Sequence, residues 1–286
     1  MYELNGEINN MNKYMLKLSK ISLNINQLKI IAIVTMIIDH IGYYFEPYLN
    51  DVIYYILRAI GRISMPIFAY MLVQGFFHTS NLKKYIFRIF SFAIVTQLAI
   101  FIVSIFDNDS SRLVVNTQLN ILFSYTLSLI VLWLIHEKNV INKWNYNKNM
   151  LLKILMLFLI LAIFLFIPFD YGIYVPLFVV MLYLIEKLKI TIYLNKQSYT
   201  VNMKNIVTAF IPEDKIKIGY ILLIAIAMLT IIARSLNPMY WYMLLSLPII
   251  YLYNGEKGKN DNKLKYLFYA VFPLQHILLY FLSLIL

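Results

Sequence analysis

Cysteine is absent from the 286 residues, which excludes disulfides, thiolate catalysis and Cys-based metal sites. Charge is scarce, at 14% of residues. No Walker loop or dinucleotide fingerprint is present. The four histidines fall on separate segments with no pair at i, i+3 or i+4 spacing, so no metal site is expected. Met1 to Asn26 is Asn- and Lys-rich and lacks the apolar core and small-residue cleavage site of a signal peptide, so the first helix itself is expected to act as the insertion signal.

The chain is instead rich in apolar side chains. It is 61% hydrophobic with a mean hydropathy of +0.71, against the roughly 45–50% apolar content of soluble domains. Apolar runs of about 17–25 residues recur, each long enough to cross a hydrocarbon core of about 30 Å. The expectation is an all-α, polytopic transmembrane helix bundle of about nine spans, near 27–45, 52–77, 85–106, 115–135, 151–168, 172–186, 217–234, 238–254 and 266–286. Residues 1–26 form an N-terminal cytoplasmic segment, and 27–286 a single membrane domain with a cytoplasmic loop at about 187–217.

The net charge of +11 does not point to nucleic acid, because the basic residues gather in alternate loops. Lys13, Lys17, Lys20 and Lys29 precede or open the first span; Lys83, Lys84 and Arg88 mark the second loop, and Lys138, Lys143, Lys148 and Lys153 the fourth. Lys187 to Lys217 supply the sixth and Lys257 to Lys265 the eighth, while the intervening loops carry Glu46, Asp51, Asp107, Asp109 and Asp170, with Arg112 in the third and Arg234 in the seventh as their bases. The positive-inside rule then puts the N-terminus in the cytoplasm and the C-terminus outside a cell membrane.

Against that background the polar residues at depth stand out. Asp39 and His40 lie past the middle of the first span, and Arg58 and Arg62 share one face of the second, one turn apart. An intramembrane Arg costs about 2.5–3.5 kcal/mol on the insertion scale, so such groups face a bundle interior or a wet cavity. Pro66 cannot donate to the carbonyl of Arg62, which favours a kink beside the pair. Asp39 diverges from His40 by about 100° around the helix and is expected to pair with Arg58 or Arg62. Lys29 and His40, eleven residues apart, point almost the same way about 16 Å apart along the axis. That suits a ligand with an anionic head and a reactive tail, such as a coenzyme A thioester, with Lys83, Lys84 and Arg88 adding cations on the same side.

The blocks "LKIIAIVTMIIDHIGYYF", "RAIGRISMPIFAYMLVQGFFHTSNLKKYIFRIF", "LNILFSYTLSLIVLWL", "FDYGIY" and "KYLFYAVFPLQHILLYF" resemble, in order and over nearly the whole chain, the signature blocks of the TraX family. TraX proteins are similar in turn to the wider membrane acyltransferases, including acyltransferase family 3. Lys29 and His40 match that group's basic residue, ten residues and His; Arg58 and Arg62 match its R-x-x-x-R. "FPLQH" departs from members that show Tyr-Pro and a closely following His.

The resemblance implies acetyl transfer from cytoplasmic acetyl-CoA, a co-substrate, to an amine or hydroxyl acceptor in or across the membrane. The family's named activity is N-terminal acetylation of conjugative pilin, but nothing in the residues names an acceptor, which could be peptide, glycan or lipid. The expected catalytic set is His40 as general base, Asp39 in support, and Arg58 or Arg62 stabilising the oxyanion. Lys29, His78, Lys83, Lys84 and Arg88 are expected to bind the donor, and Asn120, Asp170 and His276 to line the cavity. Gln97, Asn116 and Asn120 are read as helix-to-helix hydrogen bonders, His136 as a solvated loop residue, and the many tyrosines as interfacial anchors. Membrane lipid is the expected surrounding partner. The alternative is a secondary transporter that uses the same Asp/His/Arg layer for a small anionic solute.

Overall fold

A computed structural model describes residues 22–106, 118–137, 139–141, 143–202, 213–235, 238–256, 258 and 261–285. The described chain is helical, apart from turns and two isolated bridges, Leu23 with Tyr253 and Leu119 with Phe169. The helices are α1 (Ile25–Tyr44), α2 (Asp51–Gly61), α3 (Ser64–His78), α4 (Leu82–Phe106) and α5 (Ile121–His136). They are followed by α6 (Tyr146–Phe166), α7 (Tyr174–Asn202), α8 (Glu213–Ser235), α9 (Ser246–Tyr251) and α10 (Asp261–Ser283). Short 3₁₀ segments cover Glu46–Tyr48 and Pro238–Leu245.

All nine expected segments fall on helical elements. Among the described residues four are long and apolar enough to cross a membrane: α1, the α2–α3 stretch Asp51–His78, α4 and α6. Two segments differ in backbone from a plain span-length helix. The eighth, 238–254, is a 3₁₀ stretch followed by the six-residue α9, with Pro238 opening the first piece and Pro248 inside the second. The helix that carries the sixth, α7, does not end near 186 but continues to Asn202 through the first half of the expected loop. Its Lys- and Asn-bearing turns keep enough Leu, Ile and Tyr to remain helical. Residues 203–212 and the N-terminal segment 1–21 lie outside the described residues.

Six elements close a ring: α1 packs on α10, α10 on α4, α4 on α5, α5 on α7, α7 on α3, and α3 back on α1. One buried apolar cluster runs through the bundle, from Leu28 and Ala32 on α1 through Ile67 and Val73 on α3 to Leu129 on α5 and Phe178 on α7. Outside the ring, α8 leans on α7, and α6 sits at the periphery with only Asn149 and Ile160 buried.

Local chemistry explains the ends. Asn24 caps α1 through a reciprocal box with Gln27. Leu23 N–H donates to the Leu252 carbonyl at 2.8 Å and Ile25 N–H to Glu256 at 2.9 Å, stitching the entry of α1 to the exit of α9. The break between α2 and α3 falls at Arg62–Ile63, three residues before Pro66, and the Ser64 hydroxyl donates to the Gly61 carbonyl at 2.8 Å. The proline thus splits the second span where its missing N–H predicts.

Candidate functional site

Two glycines set the α1–α2 distance. A Cβ added to Gly61 would lie 2.1 Å from Asp39 Cβ, and one on Gly42 would lie 3.0 Å from Leu57 Cβ. Only a bare backbone lets the helices approach this closely. The approach delivers Asp39 to Arg58, whose Nη1 donates to Oδ2 at 2.7 Å and to the Asp39 carbonyl at 3.3 Å. Arg62 Nη2 stands 4.0 Å from the other carboxylate oxygen, Oδ1. Both guanidiniums are largely enclosed, at 18% and 14% exposure.

Arg62 reaches across the ring. Its Nη1 donates to the Tyr171 hydroxyl at 2.6 Å, and its guanidinium carbon lies 5.6 Å from the Tyr171 ring centre and 5.8 Å from that of Tyr240. Tyr171 takes a left-handed backbone conformation, φ +59°, unusual for an aromatic residue. The turn that holds it there is pinned to the start of α5, with Leu119 N–H donating to Pro168 and Asp170 N–H to Leu119, each at 2.9 Å. Backbone strain of this kind persists where its surroundings over-determine it, which is common at functional sites.

His40 completes the layer. Its Nδ1 lies 2.8 Å from the Met36 carbonyl, which can only accept, so this nitrogen carries the proton and Nε2 is the basic one when the ring is neutral. His276 on α10 meets it edge-on, with ring centres 4.6 Å apart, and its own Nδ1 is 2.9 Å from the Tyr44 hydroxyl.

These groups line one cavity of about 180 Å³, partly open, inside the helix ring. Asp39, His40, Arg58, Arg62, Asn120, Asp170 and His276 are all on its wall. Toward the start of α1 and the end of α3 its lining includes Met36, Met65, Phe68 and Phe272. Arg62 Nε and Asp39 Oδ1 are buried without a hydrogen-bond partner among the described residues. Both belong to residues on the cavity wall.

Not every wall residue is available for chemistry. Asn120 caps α5 through Leu122 N–H at 3.1 Å, and its amide donates to Ala93 and to Gln97, each at 2.9 Å. It ties α4 to α5, as expected of Gln97 and Asn120; Asn116 lies outside the described residues. Asp170 sits in the turn between α6 and α7, outside the helical spans. Burial pushes its carboxyl up to about 6, with the Arg62 charge opposing the shift. Burial also raises the Tyr171 phenol above its ordinary range.

The five expected donor-binding residues do not line this cavity. Lys29 is half-buried near the start of α1, while His78, Lys83 and Lys84 are exposed at the α3–α4 connection. Arg88 stacks over the rings of Tyr85 and Tyr269. His136 is exposed, yet its Nδ1 lies 3.1 Å from the Tyr183 hydroxyl, so it has a partner besides solvent. Residues the sequence reading left out of the site are Tyr171, Tyr240 and Tyr44. The signals available were the quoted blocks "FDYGIY", which holds Tyr171, and "LKIIAIVTMIIDHIGYYF", which holds Tyr44; Tyr240 lies in neither.

The family model described as "TraX protein" matches residues 24–283. Among curated proteins, the chain is similar to "Probable fimbrial assembly protein FimC, serogroup H1" of Dichelobacter nodosus, 27% identical over 270 residues that cover 88% of this chain and 93% of the relative. No solved structure matches the chain.

Proposed function

The chain belongs to the TraX family, and from that premise we propose that it is an integral-membrane acetyltransferase. It moves an acetyl group from acetyl-CoA to an amine or hydroxyl of a membrane-associated or extracytoplasmic acceptor. The observation that carries this reading is the juxtaposition, in one partly open cavity, of an imidazole with a committed tautomer and a guanidinium with a spare buried N–H.

In the proposed reaction, the acceptor's N or O attacks the thioester carbonyl carbon. His40 Nε2 takes the acceptor's proton as the new bond forms, and the carbonyl oxygen gains negative charge. When the C–S bond breaks, that proton passes to the departing sulfur, which leaves as the thiol. Sequence alone left Arg58 and Arg62 as equal candidates for the oxyanion; the geometry favours Arg62. Arg58 is engaged by Asp39, and this pair holds α1 against α2, whereas Arg62 keeps Nε unpaired. Asp39 is a positioning residue. His276 sits where it can orient the His40 ring or contact the acceptor.

We assign the lysine-rich loop ends to the cytoplasm, with the N-terminus inside and the C-terminus outside. Of the five expected donor-binding residues Lys83 lies on the outer hollow between α4, α5 and α6; Lys29, His78, Lys84 and Arg88 are left to meet the donor's phosphates, and its thin arm threads past Met36, Met65, Phe68 and Phe272. Methionine tolerates such displacement. The relative's printed name, a fimbrial assembly protein, makes pilin-type subunits one acceptor class to try. The deciding assay gives purified protein labelled acetyl-CoA with amine, glycan and peptide acceptors and compares wild type with His40→Ala. Label transfer that depends on His40 supports the reading, and equal transfer by both proteins removes His40 as the base. Because the chain has no cysteine, single cysteines at residues 84 and 170 with impermeant labels read the orientation directly.

A further inference from the structure

A second hollow lies outside the helix ring, where α4, α5 and α6 meet. Its volume is about 580 Å³, and its wall is apolar almost throughout, including Ile86, Phe90, Phe123, Ile130 and Ile163. The one charged side chain on it is Lys83. The hollow exists because α6 is held at its two ends. At one end the Asn149 amide donates to the carbonyls of Ile141, Trp144 and Asn145 at 3.0–3.2 Å and accepts from Ile141 N–H. At the other, the Leu119–Phe169 bridge fixes the chain just beyond α6, and the Phe164 ring packs on Phe169. Between these anchors α6 exposes Leu151, Ile154, Leu155 and Phe158, and it buries only Ile160.

We infer that this groove is a binding site for one anionic glycerophospholipid, with its phosphate on Lys83 and an acyl chain laid along α5 toward Phe169. Three features select that occupant. The wall on α5 runs from Phe123 to Trp133, about 15 Å at about 1.5 Å per residue, with Leu119 and Phe169 beyond it, which suits an extended fatty-acyl chain and covers about half of a hydrocarbon core of about 30 Å. The cation stands at one end of the groove, at the lysine-rich end of α4, where the headgroup layer lies. Its ammonium has no protein partner among the described residues. A polar or multiply charged solute would find no other partner for its charge, and in an aqueous setting such an apolar wall would stay unfilled.

Trp133 on the groove wall reports occupancy. In the full chain with Trp144→Phe and Trp241→Phe it is the sole indole of three. The protein is reconstituted in phosphatidylcholine vesicles that contain either phosphatidylglycerol or phosphatidylcholine with brominated acyl chains, at rising mole fraction. Half-maximal quenching is expected at about fivefold lower mole fraction for phosphatidylglycerol, equivalent to about 1 kcal/mol. Lys83→Gln removes that preference, while Lys84→Gln, outside the groove wall, retains it. Leu127→Phe, which fills part of the groove, shifts both lipids to higher mole fraction. Equal quenching by the two headgroups in the parent protein, a preference that survives Lys83→Gln, or no shift in Leu127→Phe would each overturn the site. The readout is independent of acetyl transfer.

Discussion

The two hollows in this bundle use space in opposite ways. The cavity inside the ring measures about 180 Å³ yet gathers two carboxylates, two guanidiniums and two imidazoles. The groove outside is about 580 Å³ and carries a single ammonium. Size alone would select the groove as the reactive site, whereas chemistry selects the cavity. The backbone explains the difference. Three regular helices supply most of the groove wall, closed at one end by the Leu119–Phe169 bridge, while the cavity borrows a split helix at Arg62, a left-handed tyrosine and the capped start of α5. Non-helical backbone is tolerated in a membrane protein where it faces a protein interior or a polar cavity, and here the irregular backbone and the titratable side chains coincide.

The strongest test of this contrast is His40→Ala, which is expected to lower kcat/KM for acetyl transfer by about 100- to 10,000-fold, the usual share of a general base. Arg62→Gln comes next. Loss of a preorganised oxyanion donor lowers kcat by about 100- to 1,000-fold, and steady-state kinetics with saturating acetyl-CoA should place the loss in kcat. An effect confined to KM would move Arg62 from the reacting carbonyl to donor binding.

Two glycine substitutions sharpen the comparison on stability. Gly61→Ala forces a methyl into Asp39 and is expected to cost about 1–3 kcal/mol, as overpacking does. Gly219→Ala on α8 meets nothing within 4 Å and should stabilise by about 0.5–1 kcal/mol through helix propensity. Thermal midpoints in one detergent would show shifts of opposite sign.

Asp170 supplies a pH test. Its carboxyl is pushed up to about 6 from an ordinary 3.8, so the folded chain holds the proton more tightly than the unfolded chain. That contribution is full below about pH 3.8 and is lost as pH rises through about 6. Asp170→Asn should flatten this part of the stability profile, and an unchanged slope would put the titration elsewhere. The smallest effect is expected at Phe158, 70% exposed on the outer face of α6. Phe158→Leu should stay within about 0.5 kcal/mol and leave turnover unaltered.

Much of the site was legible in the sequence because charge is costly in lipid. Asp39, His40, Arg58 and Arg62 stand out within apolar runs, and Pro66 marks the break at its observed place. Angular divergence from His40 left Asp39 to pair with Arg58 or Arg62, and the close contact is with Arg58. The tyrosines were harder to place. In a chain with 24 of them, a tyrosine near a span end reads as an interfacial anchor, and nothing local separates Tyr171 or Tyr240 from the rest. The left-handed turn at Tyr171 depends on a backbone pairing with Leu119, fifty residues upstream, which no local pattern encodes. The irregular backbone of the eighth segment was hidden for a related reason, since hydropathy measures how greasy a stretch is and not whether its two prolines permit a continuous α-helix.

The pairing of Leu119 with Phe169 gives the two hollows a shared partition. Asn120 and Asp170, each the next residue along, belong to one chamber, while Leu119 and Phe169 themselves face the other. A substitution at Leu119 or Phe169 is therefore made in the wall between both chambers, and variants there should be assayed for effects on each.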